Sequence, residues 1–197
     1  IGVVAQIVPW NGPLVMAAWK LAPALAAGCT CVFKPAEQTP MSTLLLGELF
    51  EQAGFPPGVV NIVTGDGRTG AALAEHPGVD KIAFTGSSAT ARKIIMEASG
   101  NLKKVSLELG GKSPVIVFAD ANLEQAIPGA AEAIFSNAGQ VCVAGSRLLV
   151  ERPVFEQVVE GVSKIAKSLK LGSGFDPESQ MGPLISEEHR NHVHSLV

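Results

Sequence analysis

Apolar positions recur along the first hundred residues in two alternating rhythms. Gly2 to Val8 is a short, nearly continuous apolar run that predicts a buried strand, whereas Leu14 to Ala27 repeats apolar residues at helical spacing until Gly28 stops it. Cys29 to Phe33 predicts the next strand. Thr39 as a cap and Pro40 at the first helical position predict a helix to Ala53, ended by Gly54 and Pro56-Pro57-Gly58. Strands are then expected at Val59 to Val63, Lys81 to Phe84 and Lys104 to Leu107, with helices near Thr69 to Glu75 and Ser88 to Ala98. Such alternation predicts a doubly wound, Rossmann-like α/β unit with parallel strands and helices on both faces.

After Gly111 the rhythm changes. Val115 to Phe118 and Arg147 to Glu151 predict strands, and Leu123 to Phe135 and Val154 to Leu169 predict helices, the first preceded by Asp120-Ala-Asn122. A boundary near Gly111 therefore divides the chain into a cofactor domain, 1–111, and part of an α/β catalytic domain, 112–197, with an active site expected at their interface. The chain opens inside an apolar run at Ile1 and ends at Val197 in an uncapped helical pattern, which predicts a segment of a longer protein.

The polar residues of the first part fall at strand ends. Pro9-Trp10-Asn11-Gly12-Pro13, Lys34-Pro35-Ala36-Glu37, Gly65-Asp66-Gly67, Thr85-Gly86-Ser87 and Glu108-Leu109-Gly110-Gly111 each follow a predicted strand. In a parallel sheet these ends share one edge, where open α/β folds bind ligands. Two of them suggest a nucleotide. Gly86-Ser87 at a strand-to-helix turn would aim backbone N–H groups at a diphosphate, and Lys34 with Glu37 could hold ribose hydroxyls. Gly65-Asp-Gly-Arg-Thr-Gly70 satisfies G-x-G-x-x-G, a pattern that a flexible turn satisfies equally well. No Gly-x-x-x-x-Gly-Lys-Ser/Thr loop occurs, which excludes a P-loop nucleotidase.

Composition narrows the classes further. The 197 residues carry a net charge of -3 with 47% hydrophobic, 5% aromatic and no Tyr, so no basic, aromatic-laced surface suggests nucleic acid. Lys20, Pro23 and Gly28 interrupt the longest apolar stretch, and no membrane span or signal segment is expected. Three cysteines make no disulfide framework and fit a reducing compartment, with the cytoplasm as default. Cys29 and Cys31 share a strand face without a metal-completing partner, and His189, His192 and His194 do not share one helix face. No metal site is expected.

The chemistry centres on Cys142 and Glu108. Cys142 lies in Phe135-Ser-Asn-Ala-Gly-Gln-Val-Cys-Val-Ala-Gly-Ser-Arg147, and Glu108 opens Glu-Leu-Gly-Gly-Lys-Ser-Pro114. A thiol nucleophile with a carboxylate base suggests a covalent sulfur intermediate released by activated water. Taken singly, each has a plainer reading: a buried small hydrophobe for Cys142, an exposed strand-end carboxylate for Glu108.

Together, Pro9-Trp-Asn-Gly-Pro13, Lys34-Pro-Ala-Glu37, Phe84-Thr-Gly-Ser87, Glu108-Leu-Gly-Gly-Lys112 and Gly139-Gln-Val-Cys142 resemble, in order, the signatures of the NAD(P)-dependent aldehyde dehydrogenase superfamily. The resemblance spans the chain and less than half of a usual family member. The valines flanking Cys142 resemble enzymes of the phenylacetaldehyde and betaine aldehyde type.

The resemblance implies Cys142 as nucleophile, Asn11 with the Cys142 backbone N–H as oxyanion donors, and Glu108 as the base that activates water, either in a dry pocket or through a water relay. It implies NAD as cofactor, with NADP tolerated by some relatives. Lys34 and Glu37 would bind the adenosine ribose, Gly86 and Ser87 would receive the pyrophosphate, and Trp10, Gly65 and Leu109 would complete the contacts. It also implies a small aldehyde substrate and a homodimeric or homotetrameric whole protein. Ala91 departs from a family glycine, and the second glutamate motif and oligomerisation arm lie outside the chain, so the segment alone is expected to be inactive or weakly folded. An acylating, coenzyme A-dependent relative and a non-catalytic homologue remain as alternatives.

Overall fold

A computed structural model describes residues 1–197, which divide into two compact units, Ile1–Leu109 and Gly110–Val197. The break falls between Leu109 and Gly110, within the Glu108-Leu109-Gly110-Gly111 run.

The first unit is a five-stranded sheet with the order β3-β2-β1-β4-β5. Its strands are β1 (Val3–Ile7), β2 (Thr30–Lys34), β3 (Val60–Ile62), β4 (Lys81–Gly86) and β5 (Lys104–Leu109), and every pair is parallel. Four helices make the crossovers: α1 (Pro13–Ala26), α2 (Met41–Gln52), α3 (Gly67–Glu75) and α4 (Ser88–Ala98). Because β1 is central and buried on both faces, its apolar residues do not alternate with polar ones. Ala5, Ile7, Ile82 and Phe84 pack with Ala74, Ala91, Ile94 and Ala98 of α3 and α4. Val8, Cys31 and Phe33 pack with Ala17 and Leu21 of α1. Each large side chain buried this way, such as the fully enclosed Phe33, contributes about 1.5–3 kcal/mol of transfer free energy. Ala91 is one of these core residues.

Local signals explain most helix starts. Pro13 pre-sets the first turn of α1, and the side chains of Asp66 and Ser87 accept from Arg68 N and Thr90 N to cap α3 and α4. The expected Thr39 cap is not made. Pro40 occupies the cap position of α2, and Thr39 Oγ1 instead donates to the Trp10 carbonyl at 3.2 Å, tying the loop after β2 to the loop after β1.

Two strand ends also differ from expectation. Gly86 is the last residue of β4 rather than a helix opener, and β5 continues through Glu108 and Leu109, which pair with Thr85 and Gly86. The polar Glu108 made the strand look shorter than its backbone pairing is. At the other end of β5, Lys103 is buried and donates to the Ala74 and His76 carbonyls at 2.5 and 2.9 Å, closing the C-terminal end of α3.

The second unit contains a two-stranded parallel sheet, β6 (Pro114–Val117) with β7 (Arg147–Val150), and helices α5 (Leu123–Phe135), α6 (Phe155–Ser168) and α7 (Glu187–His194). Asn122 caps α5, and α6 packs on α5 closely enough that a Cβ on Gly161 would lie 2.7 Å from Ile127. Ser186 caps α7, which ends at His194, short of the chain terminus. No helix is long and apolar enough to cross a membrane.

Candidate active site

Parallel pairing brings the five polar strand ends of the first unit to one edge. The strand order places β1 between β2 and β4, with the crossovers from β1 and β4 leading in opposite directions. The crevice of such a sheet opens between the carboxyl ends of those two strands. Trp10 and Asn11 follow β1, and Thr85, Gly86 and Ser87 stand at the end of β4. At Gly86 a side chain is excluded, since a Cβ would come within 2.5 Å of the Phe84 ring. Ser87 Oγ is engaged within its own helix, with Thr90 N at 3.1 Å and Thr90 Oγ1 at 3.0 Å.

One strand out from the crevice, Lys34 ends β2. Its side chain is buried, and Nζ donates to the Pro35 carbonyl at 3.0 Å and lies 3.5 Å from the half-exposed Glu37 carboxylate. A buried ammonium needs such a partner. Gly65 lies in the loop that leads from β3 into α3, and Gly67 and Gly70 belong to the first turns of α3. Gly65 takes φ +147° over Thr69, and Gly70 lets α3 lie against Ile7 and Lys34. Those glycines let the loop turn and let α3 pack on the sheet.

Glu108 and Leu109 lie at the opposite edge of the same unit. Glu108 is exposed and borders a cleft of about 460 Å³ with Gln6, Trp19, Lys20, Lys81, Thr85 and Ser106. Lys20 is the residue that pattern reading missed. Burial lowers its ammonium below the usual lysine value, Glu108 opposes that shift and Lys81 reinforces it. The signal was present in the chain, because Lys20 is the one charged residue between Leu14 and Ala27. Gln6, which pattern reading also missed, and Thr85, one of the polar strand-end residues, border the same cleft. Gln6 Nε2 donates to the Lys20 carbonyl at 2.8 Å, while Gln6 Oε1 and Thr85 Oγ1 are buried with no partner.

In the second unit Cys142 occupies a tight turn, closed by Ala144 N donating to the Val141 carbonyl at 3.0 Å. Cys142 is half-buried and Val143 beside it is exposed. The approach to the turn is held by side chains. Gln140 Nε2 donates to the Asn137 carbonyl at 3.0 Å, and Gln140 Oε1 accepts from Ile185 N at 3.0 Å. Asn137 and Ala138 take left-handed backbone angles before Gly139 does the same, a conformation costly for alanine. Gly111 lies under the turn, since a Cβ there would meet the Cys142 carbonyl at 3.2 Å.

The aldehyde dehydrogenase family model matches residues 1–197. The chain belongs to the aldehyde dehydrogenase family. It is 54% identical to human retinal dehydrogenase 2 over all of its length and 38% of that protein. It is 55% identical to betaine aldehyde dehydrogenase of Bacillus subtilis, again over the whole chain and 40% of the relative. Among solved structures, the Staphylococcus aureus betaine aldehyde dehydrogenase in complex with NAD+ superposes with a TM-score of 0.95 at 46% identity, covering 99% of this chain and 39% of that one. The chain thus spans about two fifths of the length of the relatives it matches.

Proposed function

We propose that the protein containing these residues oxidises an aldehyde to a carboxylic acid with NAD, through a thioester on Cys142 that is hydrolysed by water. Family membership supports the reaction class, and the S. aureus relative was crystallised with NAD+. The single observation that carries the covalent step is the placement of Cys142 in a turn fixed from both sides, by Gln140 and by Gly111.

The first unit suits a dinucleotide. The helix α4 starts at the end of β4, beside the crevice, and the excluded side chain at Gly86 keeps backbone accessible there. Gly86 and Ser87 would take the diphosphate, Lys34 and Glu37 the adenosine ribose, and Trp10, Gly65 and Leu109 the remaining contacts. NAD, when bound, supplies the hydride acceptor.

The chain's own residues do the rest. The Cys142 thiolate adds to the carbonyl carbon, and the Asn11 carboxamide with the Cys142 backbone N–H donates to the oxyanion of the thiohemiacetal. Losing one such donor typically costs about 10²–10³ in rate. Loss of hydride leaves the thioester. Glu108 then takes a proton from water, which attacks the acyl carbon, and collapse releases the carboxylic acid and the Cys142 thiolate. Since Glu108 is exposed within its unit, the relay through water is the route of the two that its surroundings favour. Lys20 and the unpartnered Gln6 and Thr85 oxygens border the same cleft and suit ordered water there.

The test is replacement of Cys142 by Ser in the full-length protein. Aldehyde oxidation should fall by at least about 10³, while NAD binding measured by calorimetry stays within about threefold of wild type. Undiminished oxidation would refute the nucleophile. Replacing Asn11 by Ala should lower kcat by about 10²–10³ with little change in NAD affinity.

A further inference from the structure

Between the end of α5 and Cys142 the backbone reverses its hand. Asn137, Ala138 and Gly139 take φ of +50°, +55° and +75°, a single left-handed turn closed by Gln140 N donating to the Asn137 carbonyl at 3.1 Å. Glycine adopts that region freely and asparagine at small cost. The strain therefore falls on Ala138, whose Cβ crowds the carbonyl that follows it.

Side chains hold the turn in this form. Asn137 Nδ2 donates to the Gln140 carbonyl at 3.3 Å, Gln140 Nε2 donates to the Asn137 carbonyl at 3.0 Å, and Gln140 Oε1 accepts from Ile185 N at 3.0 Å. The Ile185 side of this clasp is firm. Met181 ahead of it is bridged to Leu171, and Ser186 immediately after it caps α7. The other side has room to move, because Ala138 and Gln140 line a cavity of about 470 Å³ together with Met181 and Pro183. A close-packed neighbour in that space would oppose any rearrangement.

Strain at a residue other than glycine persists only where the surroundings over-determine it. Here they are hydrogen bonds, two of them between exposed groups, and each returns about as much as one left-handed alanine costs. Closed and relaxed forms of the turn are therefore close in free energy. We propose that Ala138 is a positioning residue that makes residues 137–140 a two-state latch on the nucleophile. Closed, the turn is left-handed, Gln140 is clasped to Ile185 and Cys142 is presented. Open, Ala138 returns to the right-handed or extended region and the bond from Ile185 to Gln140 breaks. The Cys142 turn starts at Val141, directly after Gln140, so it shifts with the latch. This inference rests on Cys142 as the nucleophile.

Hydrogen exchange resolved to single amides in the full-length protein reads the latch at Ile185 N–H without any turnover. Ala138→Gly removes the Cβ cost of the closed form and should slow Ile185 exchange by about three- to tenfold. Ala138→Val, whose branched side chain makes the left-handed region a true outlier, should speed it by about tenfold. In both variants the amides of β6 should exchange at wild-type rates. On rapid mixing with NAD and an aldehyde, Ala138→Val should acylate Cys142 about tenfold more slowly than wild type, at an NAD affinity within about threefold.

Wild-type exchange at Ile185 in both variants, or exchange that changes only in step with β6, would overturn the latch. Wild-type acylation in an Ala138→Val protein whose Ile185 exchange is faster would overturn its link to Cys142. A wild type that acylates but never on Cys142 would overturn the nucleophile reading and the proposal together.

Discussion

The Lys20 ammonium and the Glu108 carboxylate border one cleft, within electrostatic reach of each other. The helix that begins just after Asn11 delivers Lys20, and the strand that ends in the Glu108 motif delivers its partner. A charge on α1 thereby tracks the state of the proposed base.

This relationship has a readable titration. Burial lowers Lys20 below 10.5, its ordinary value, so between its folded value and 10.5 the unfolded chain binds the extra proton. The Lys20 contribution to stability therefore improves as pH rises through that window. In urea unfolding of the full-length protein, Lys20→Met should be the more stable at about pH 8, and the gap to wild type should narrow as pH approaches 10.5. Glu108→Gln removes the charge that opposes the shift, so the pH midpoint for acetylation of Lys20, followed by peptide mass spectrometry, should move lower. A midpoint that does not respond to Glu108 would contradict the coupling.

The three thiols should separate cleanly by reactivity. Cys31 is fully buried and its thiol is pushed up to about 11, by burial first and then by Cys29. Near neutral pH, iodoacetamide should label Cys142 and spare Cys29 and Cys31. Because the folded value of Cys31 is raised, its contribution to stability is fully present below about 9, the unfolded value, and is lost as pH rises through about 11. Cys31→Ala should remove that alkaline slope in urea unfolding, at a general cost of about 1–2 kcal/mol for the lost packing.

The Cys142 turn can be displaced without touching sulfur. Gly111→Ala puts a methyl 3.2 Å from the Cys142 carbonyl, so the turn must give by a few tenths of an ångström. A drop in kcat of about tenfold with NAD affinity unchanged is expected, since displacements well below 1 Å already tell on rate. Gln140→Ala removes the bonds to Asn137 and Ile185 and should cost about 1–2 kcal/mol by thermal unfolding, with a fall in kcat. A wild-type kcat in both variants would show that the turn does not position the nucleophile.

Much of this was legible in the chain, and the exceptions share a cause. The α4 and α5 bounds, Ser88–Ala98 and Leu123–Phe135, follow from caps and apolar periodicity, which are local. The alternation of short apolar runs with helices also carried the parallel sheet. Glu108 in β5 was hidden because a polar residue ends an apolar run without ending a strand's hydrogen bonds. Thr39 obeyed a tertiary partner, the Trp10 carbonyl, over its local capping preference. Gln140 reaches Ile185, and Asn137 and Ala138 take left-handed angles without glycine, so neither feature has a local pattern. Lys20 was visible only as an interruption in an apolar stretch; its meaning depended on a strand nearly ninety residues later in the chain.

The most direct test of the thioester account is rapid mixing of full-length Glu108→Gln with NAD and an aldehyde. The account predicts a burst of about one NADH per active site, a steady-state rate at least about 100-fold below wild type, and an acyl adduct found on Cys142 by mass spectrometry of the quenched protein. Turnover at the wild-type rate, or a burst with the acyl group on another residue, would contradict it.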